Sequence, residues 1–419
     1  MRLLNDAIND CLALAPPRRT MVKPLIECLN HSLSASVYAH SPLPRWPQSA
    51  MDGYAVRSAE ARQGAMLTLG EVIPAGHWPK RDLQRGECAR IFTGAPLPRE
   101  ADAVLLQENA TLLVEEGRVR VEQSARLSEH IRQTGEEVVS GQQIAAAEES
   151  VTPGLLGLCS AQGFTHLEVF EKPKLSILET GSELVPLGAQ LSGAEIYATN
   201  AITLSPMIEG CGGQLISVTR VSDDPKAVVS KIQEQIQLGT QLIITTGGVS
   251  VGDFDPIHEA LSQLGAERTF WKVKMKPGKP VSVATLETPQ GGRTLIIGLP
   301  GNPVSCVVGY LLFVHPLIEH LSGRPKDQIG LRRLTCQLDQ EITKSHHRSE
   351  LFRVRIHPGS PPLCRLTGGQ SSAWISSISS GDGLLYTPPE PCELKSGELV
   401  EIALFPWFDP IPKRLLYSV

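Results

Sequence analysis

Between residues 173 and 325 the chain alternates uninterrupted apolar runs with helical periods. KLSILET, QLISVTRV, QLIITT and TLIIGL run into glycine turns or acids, and ATNAITLSPMIEG, PKAVVSKIQEQIQLG, PIHEALSQLG and VSCVVGYLLFVHPLIEHL lie between or after them. A strand that is apolar throughout, without period-two alternation, is buried on both faces. Strands of that kind separated by helices predict a mostly parallel, doubly wound sheet. Ligands of such sheets sit beyond the carboxyl ends of the strands.

The rest of the chain has a different texture. Residues 1–40 read as two amphipathic helices split by Pro16-Pro17, and SPLPRWPQ (41–48) reads as an extended crossing. AMLTLGEVI, GECARIFTG, ADAVLLQE and TLLVEEGRVRVE are short, turn-bounded strand texts. Residues 151–164 read as a helix with Thr152 as N-cap, Pro153 in the first turn and Gly163 as stop. After residue 326, LFRVRI, GLLYTPP and ELVEIALF return to short strands. The expected fold class is therefore a multidomain α/β plus β chain. A helical N-terminal body takes 1–45 and 141–172, and 46–140 form an inserted small β-domain. The doubly wound domain takes 173–325, and 326–419 form a C-terminal β-barrel.

Several classes are excluded early. Lys+Arg is 39 against 44 Asp+Glu, a net charge of -5, so no generic basic nucleic-acid surface exists. Nine scattered cysteines without a CxxC pair suggest neither a disulfide framework nor a zinc site. Asp6 and Asp10 interrupt the N-terminus where a signal peptide is apolar, and the apolar run Val304–Val314 is too short to span a bilayer. The expectation is a cytoplasmic protein with reduced thiols and no membrane partner.

The chemistry-bearing text concentrates in the doubly wound segment. LIITTGGVSVGDFD (242–255) carries a buried strand into Gly247, Gly248 and Gly252, then Asp253 and Asp255. Glycines at a strand end let backbone N–H groups approach an anion, and the two acids are hard oxygen ligands of the kind Mg²⁺ takes beside phosphate. A plain turn with Asp255 capping the next helix remains the alternative. Gly248-Val-Ser250-Val-Gly252 also matches the hydrolase GxSxG elbow, but the next helix signal, Pro256, comes too late for that geometry.

WKVKMKPGKP (271–280) spaces Lys272, Lys274 and Lys276 to share one strand face, with Lys279 in the following turn. Either an anion site or a lysine-protected edge strand follows from that pattern. Pro300-Gly301-Asn302-Pro303 is a strand-to-helix turn, readable as a rigid cap or as a phosphate-facing helix start. Glu183 follows Thr180-Gly181, and Asp223-Asp224 follow another strand. Gly210–Gly213 (GCGG) reads as a helix stop. Asp52 and Thr93 stand beside glycines in two turns of the β-rich segment, and His346-His347 show no ligand spacing.

Taken together in order, SAMDGYAV (49–56), FTGAPLP (92–98), TGSEL (180–184), TTGGVSVGDFD (245–255), KVKMKPGKP (272–280) and LPGNPVS (299–305) closely resemble the molybdopterin molybdenumtransferases. This is the MoeA family, which also includes the gephyrin E domain. The resemblance implies a four-domain homodimer that inserts molybdenum from molybdate into adenylylated molybdopterin and releases AMP, with Mg²⁺ and with a molybdopterin adenylyltransferase as partner. It implies catalytic roles for Asp52, Thr93, Glu183, Asp223, Asp255, Lys272 and Lys276. The β-domain that carries Asp52 and Thr93 resembles the part that closes over a partner subunit's cleft. Contacts to the substrate are implied for Gly247, Gly248, Ser250, Gly252, Lys279, Pro300, Gly301, Asn302 and Ser371, and metal ligation for Glu183, Asp253, Asp255 and Glu137. Two departures stand out: Gly135-Glu136-Glu137 where an Asp is usual at the third position, and Trp46-Pro47-Gln48 before SAMDGYAV. Adenylyl transfer to molybdopterin and a non-catalytic scaffold are the competing readings.

Overall fold

The computed structural model describes residues 1–248, 256–289 and 291–408. They fall into two units, one made of Met1–Ala35, Glu148–Leu156 and the chain from Thr165 onward, the other of Ser36–Ala147 and Gly157–Phe164.

The first unit begins with helix α1 (Leu4–Ala13), whose apolar spacing buries Leu4, Ala7 and Cys11. The second helix expected before residue 40 does not form. Thr20–Pro24 is a strand paired antiparallel with His166–Phe170. Pro16-Pro17 ends helical propagation, and the next residues are taken up by that strand pairing.

The central sheet contains β1 (Lys174–Thr180), β2 (Gln214–Val221), β3 (Leu242–Thr246), β4 (Glu267–Trp271), β5 (Ser282–Glu287) and β6 (Arg293–Leu299). Their order across the sheet is β2-β1-β3-β6-β5-β4. The pairs β1–β2, β1–β3 and β3–β6 are parallel, and β5 is antiparallel to both β6 and β4. The chain thus leaves β1 to one side for β2 and returns to its other side for β3. That reversal opens a crevice at the carboxyl ends of β1 and β3.

Helix α2 (Asn200–Gly210) and the long helix α5 (Pro303–Leu321) pack with α1 on one face of the sheet. Helices α3 (Pro225–Gln237) and α4 (Pro256–Gln263) cover the other with Val228, Ile232, Ile257 and Ala260. Asp224 caps α3 by accepting from the Lys226 N–H at 3.2 Å. α5 is long and apolar enough to cross a membrane by composition, yet 89% of it is buried inside the protein, as a core helix is. Its middle, Tyr310–Val314, widens into a π turn just before Pro316, which has no N–H to continue the ladder.

The C-terminal strands β7 (Arg333–Leu338), β8 (Ser349–His357), β9 (Leu363–Leu366), β10 (Gly383–Thr387) and β11 (Leu399–Leu404) close a five-strand barrel, because β8 pairs with both β9 and β10. Cys336, Phe352, Val354, Cys364 and Ile402 fill it. The short strand Met275–Lys276 runs parallel to the start of β8, placing Lys276 opposite Glu350.

The second unit is built on a six-stranded sheet in the order Ala103–Leu106, Gly53–Val56, Glu87–Ile91, Met66–Ile73, Arg118–Val121, Ala110–Leu113. Tyr54, Val56, Leu67, Cys88, Leu105 and Val119 form its core. All nine cysteines of the chain are free thiols.

Candidate functional site

A cleft of about 1430 Å³ opens where the sheet reverses, lined by the ends of β1, β3 and β6. From β1 come Glu179, Thr180, Gly181 and Glu183, from β3 Thr246, Gly247 and Gly248, and from β6 Pro300, Gly301 and Asn302. The elements explain the placement. Parallel strands in register end at one level, so the loops that follow them share one rim. Thr246 pairs with both Glu179 of β1 and Leu299 of β6.

Each turn is held in place. Gly247 has φ 83, and a Cβ there would stand 2.4 Å from the Thr180 carbonyl oxygen, so only glycine lets β3 leave the sheet against β1. Asn200, at the start of α2, donates to the Gly301 carbonyl at 2.9 Å. Asn302 occupies the N-cap position of α5, as expected, but its side chain makes no cap bond. It donates instead to the Ser372 hydroxyl at 3.2 Å, while the Val304 N–H reaches the Ser372 carbonyl. The barrel segment around Ser371 thereby abuts the cleft, and Ala373 lines it.

The cleft is acidic at its strand ends. Glu183 and Asp223 both line it, and the Asp223 carboxylate accepts the Ser182 N–H at 3.1 Å. Glu179 is only 3% exposed and accepts the Ala201 N–H at 2.9 Å. The buried hydroxyls of Thr180 and Thr246 have no hydrogen-bond partner among the described residues. Buried polar atoms are rarely left unpaired, so these two stand out beside the residues that line the cleft. No cluster of three or more His, Cys, Asp or Glu able to hold a metal exists among the described residues. The donor set still fits Mg²⁺, which takes one or two carboxylates and completes its shell with phosphate and water oxygens.

The lysines depart from expectation. β4 ends at Trp271, Lys272 turns the chain with φ 83, and Met275–Lys276 starts a separate strand. Lys272, Lys274 and Lys276 therefore do not share one strand face. The Lys272 ammonium lies 4.1 Å from the centre of the Trp271 ring, which lines the cleft. Lys276 instead meets Glu350 at 2.8 Å. The half-buried Lys279 gives its carbonyl to the Val273 N–H at 2.9 Å.

Asp52 and Thr93 form a pair within the second unit. One Asp52 oxygen accepts both the Thr93 N–H and its hydroxyl, each at 2.8 Å. Those two bonds, the backbone one first, hold the Asp52 carboxyl below its ordinary range. Glu137 is exposed in the same unit. Ser250, Gly252, Asp253 and Asp255 lie outside the described residues.

Sequence reasoning missed Glu179, Glu350 and His346. Glu179 left a signal, since a lone carboxylate inside the apolar run KLSILET must have a buried partner. Glu350 left no sign of its pairing with Lys276, which meets it only through the tertiary fold, while His346, four residues from Glu350, was read only as lacking ligand spacing.

Comparison with known proteins covers most of the chain. Residues 3–163 match the MoeA N-terminal region (domain I and II), 176–320 a probable molybdopterin binding domain, and 335–405 the MoeA C-terminal region (domain IV). The molybdopterin molybdenumtransferase of Nostoc sp. is 35% identical over 89% of this chain and 86% of its own. Molybdopterin molybdenumtransferase 2 of Mycobacterium tuberculosis is 32% identical over 92% of this chain and 95% of its own. The crystal structure of a MoeA protein from Pyrococcus horikoshii superposes with a TM-score of 0.81 at 25% identity, covering 96% of this chain and 98% of that one.

Proposed function

This chain belongs to the MoeA family of molybdopterin molybdenumtransferases, and from that premise we propose that it inserts molybdenum from molybdate into adenylylated molybdopterin with release of AMP. The observation that carries the proposal is the cleft at the sheet reversal. It combines Glu183 and Asp223 with the turns at Gly247, Gly248 and Gly301.

The substrates are anions, and the strand ends that receive them carry carboxylates. Such a site requires a divalent cation between the two sets of charge. Glu183 and Asp223 would hold Mg²⁺, with Asp253 and Asp255 as further candidates. An ion held by these residues would supply Lewis-acid polarisation of the phosphoanhydride and charge stabilisation for the leaving AMP.

The protein's own groups do the rest. Lys272, held against Trp271, supplies positive charge at the rim. The glycine turns admit phosphate oxygens close to the backbone. The Ser371–Ala373 segment and Asn302 fix the wall from the barrel side. Alignment of dithiolene and molybdate in one cleft lowers the entropic part of the barrier. The attacking group is a water or molybdate oxygen. Asp52 with Thr93 remains a proposed acidic contact carried by the second unit.

A homodimer, and a molybdopterin adenylyltransferase as the supplier of substrate, are proposed from the family relationship. The division at residues 1–45 with 141–172, 46–140, 173–325 and 326–419 is retained as the proposed domain scheme. One assay tests the whole reading: purified protein, adenylylated molybdopterin and molybdate, with and without Mg²⁺. Active cofactor and stoichiometric AMP are expected only with the metal. No AMP under either condition would sink it, and equal rates without Mg²⁺ would remove the metal from it.

A further inference from the structure

The Lys276 ammonium meets a carboxylate that belongs to the barrel. Glu350 is 4% exposed, and its Oε1 lies 2.8 Å from Lys276 Nζ, whose side chain is 40% exposed. The other oxygen, Oε2, lies 2.8 Å from His346 Nε2. His346 Nδ1 accepts the Arg348 N–H at 3.4 Å, so Nε2 carries the proton and donates to Glu350. Arg353, on the same strand, lies close enough to feel the Glu350 charge, but its hydrogen bonds go to Ser377, Leu351 and Ser371 rather than to the carboxylate.

The loop that presents His346 is itself held from below. Lys344 is 3% exposed and spends its ammonium on the carbonyls of His346, Arg348 and Glu390. A chain of contacts thus runs from Lys344 through the 346–348 turn to His346, Glu350 and Lys276. Strand pairing reinforces it, since Lys276 stands opposite Glu350 and the Ser349 N–H donates to the Lys274 carbonyl. Trp271 and Pro280, at either end of the lysine segment, both line the cleft.

A long lysine side chain loses much rotamer freedom when it is fixed, and a buried carboxylate with a single committed geometry fixes it. We infer that Glu350 is a positioning residue for Lys276, the lysine to which the family resemblance gives a catalytic role: it clamps the ammonium within the segment between the cleft-lining Trp271 and Pro280, with His346 orienting the carboxylate. The inference rests on that reading for its functional half only.

The clamp and the reaction are tested separately in the full chain. Amine labelling with acetic anhydride, read peptide by peptide, is expected to modify Lys276 several-fold faster in Glu350→Gln than in the wild type, with Lys272 unchanged. Equal labelling of Lys276 would overturn the clamp. His346→Gln, at a half-buried turn, is the second variant should Glu350→Gln fail to fold, and it is expected to raise Lys276 labelling as well. In the cofactor assay, Glu350→Gln is expected to lower kcat by roughly 10²-fold through misplacement of one group, with KM little changed. Glu350→Asp, which keeps the charge, should recover part of that loss. The double variant with Lys276→Met should be no slower than Lys276→Met alone, because both changes act through one group. Additive losses would overturn the positioning role. An inactive wild type would sink the reaction while labelling still judges the clamp.

Discussion

Asn200 and Gly301 are joined by a hydrogen bond of 2.9 Å from the asparagine side chain to the glycine carbonyl. It ties the first turn of the helix after β1 to the turn after β6, across the mouth of the cleft. Asn200→Ala is expected to cost about 1 kcal/mol of stability, the usual net worth of such a bond. The larger effect should be on substrate binding, because the Gly301 turn loses its brace. Thermal melts and KM measured together check this, and an unchanged KM would count against the brace.

Gly247 and Gly301 predict opposite results for one substitution. Gly247→Ala puts a methyl 2.4 Å from the Thr180 carbonyl oxygen at φ 83, and should cost about 1–3 kcal/mol or prevent folding. Gly301→Ala meets nothing closer than 3.6 Å among the described residues and should fold. Any loss in that second variant is then a loss of ligand approach, read as KM on a normally melting protein.

Glu179 should behave as a buried, paired carboxylate. Glu179→Leu leaves the Ala201 N–H without its acceptor at 2.9 Å, which should cost about 1–3 kcal/mol. Chemical denaturation measures it, and a neutral result would mean that Glu179 is held by the site rather than holding α2.

The Asp52–Thr93 pair makes a pH prediction. Hydrogen bonds from Thr93 depress the folded Asp52 carboxyl below 3.8. The contribution of this pair is therefore present above the unfolded value and is lost as pH falls through the lower folded one. Thr93→Val removes the hydroxyl donor and keeps the N–H, so the Asp52 titration should move part of the way back up. Carbon-detected NMR of the side-chain carboxyl follows it, and no movement would show that the backbone bond alone sets the value.

The element pattern of this protein was legible before folding. Apolar runs without alternation marked β1, β3 and β6, and Asp224-Pro225 and Asn302-Pro303 stand at the starts of α3 and α5. Those signals are local, since strand and helix periods and caps depend on residues a few positions apart. The expected second N-terminal helix failed because Thr20–Pro24 found a strand partner at His166–Phe170, a pairing outside any local window.

The site was legible in part for the same reason. Glycines and acids after strands announced a rim at Glu183, Asp223, Gly247 and Gly301, because parallel strands in register must end together. Which groups meet there depended on the strand order and on the barrel docking against the Met275–Lys276 strand. Lys276 was visible as a charge, but its partner Glu350 and the histidine behind it come from the barrel. Sequence alone thus set the elements and the kind of chemistry available. Tertiary structure decided the pairings, because a charge pair needs contact within a few ångströms, and only the completed sheet and barrel bring those side chains together.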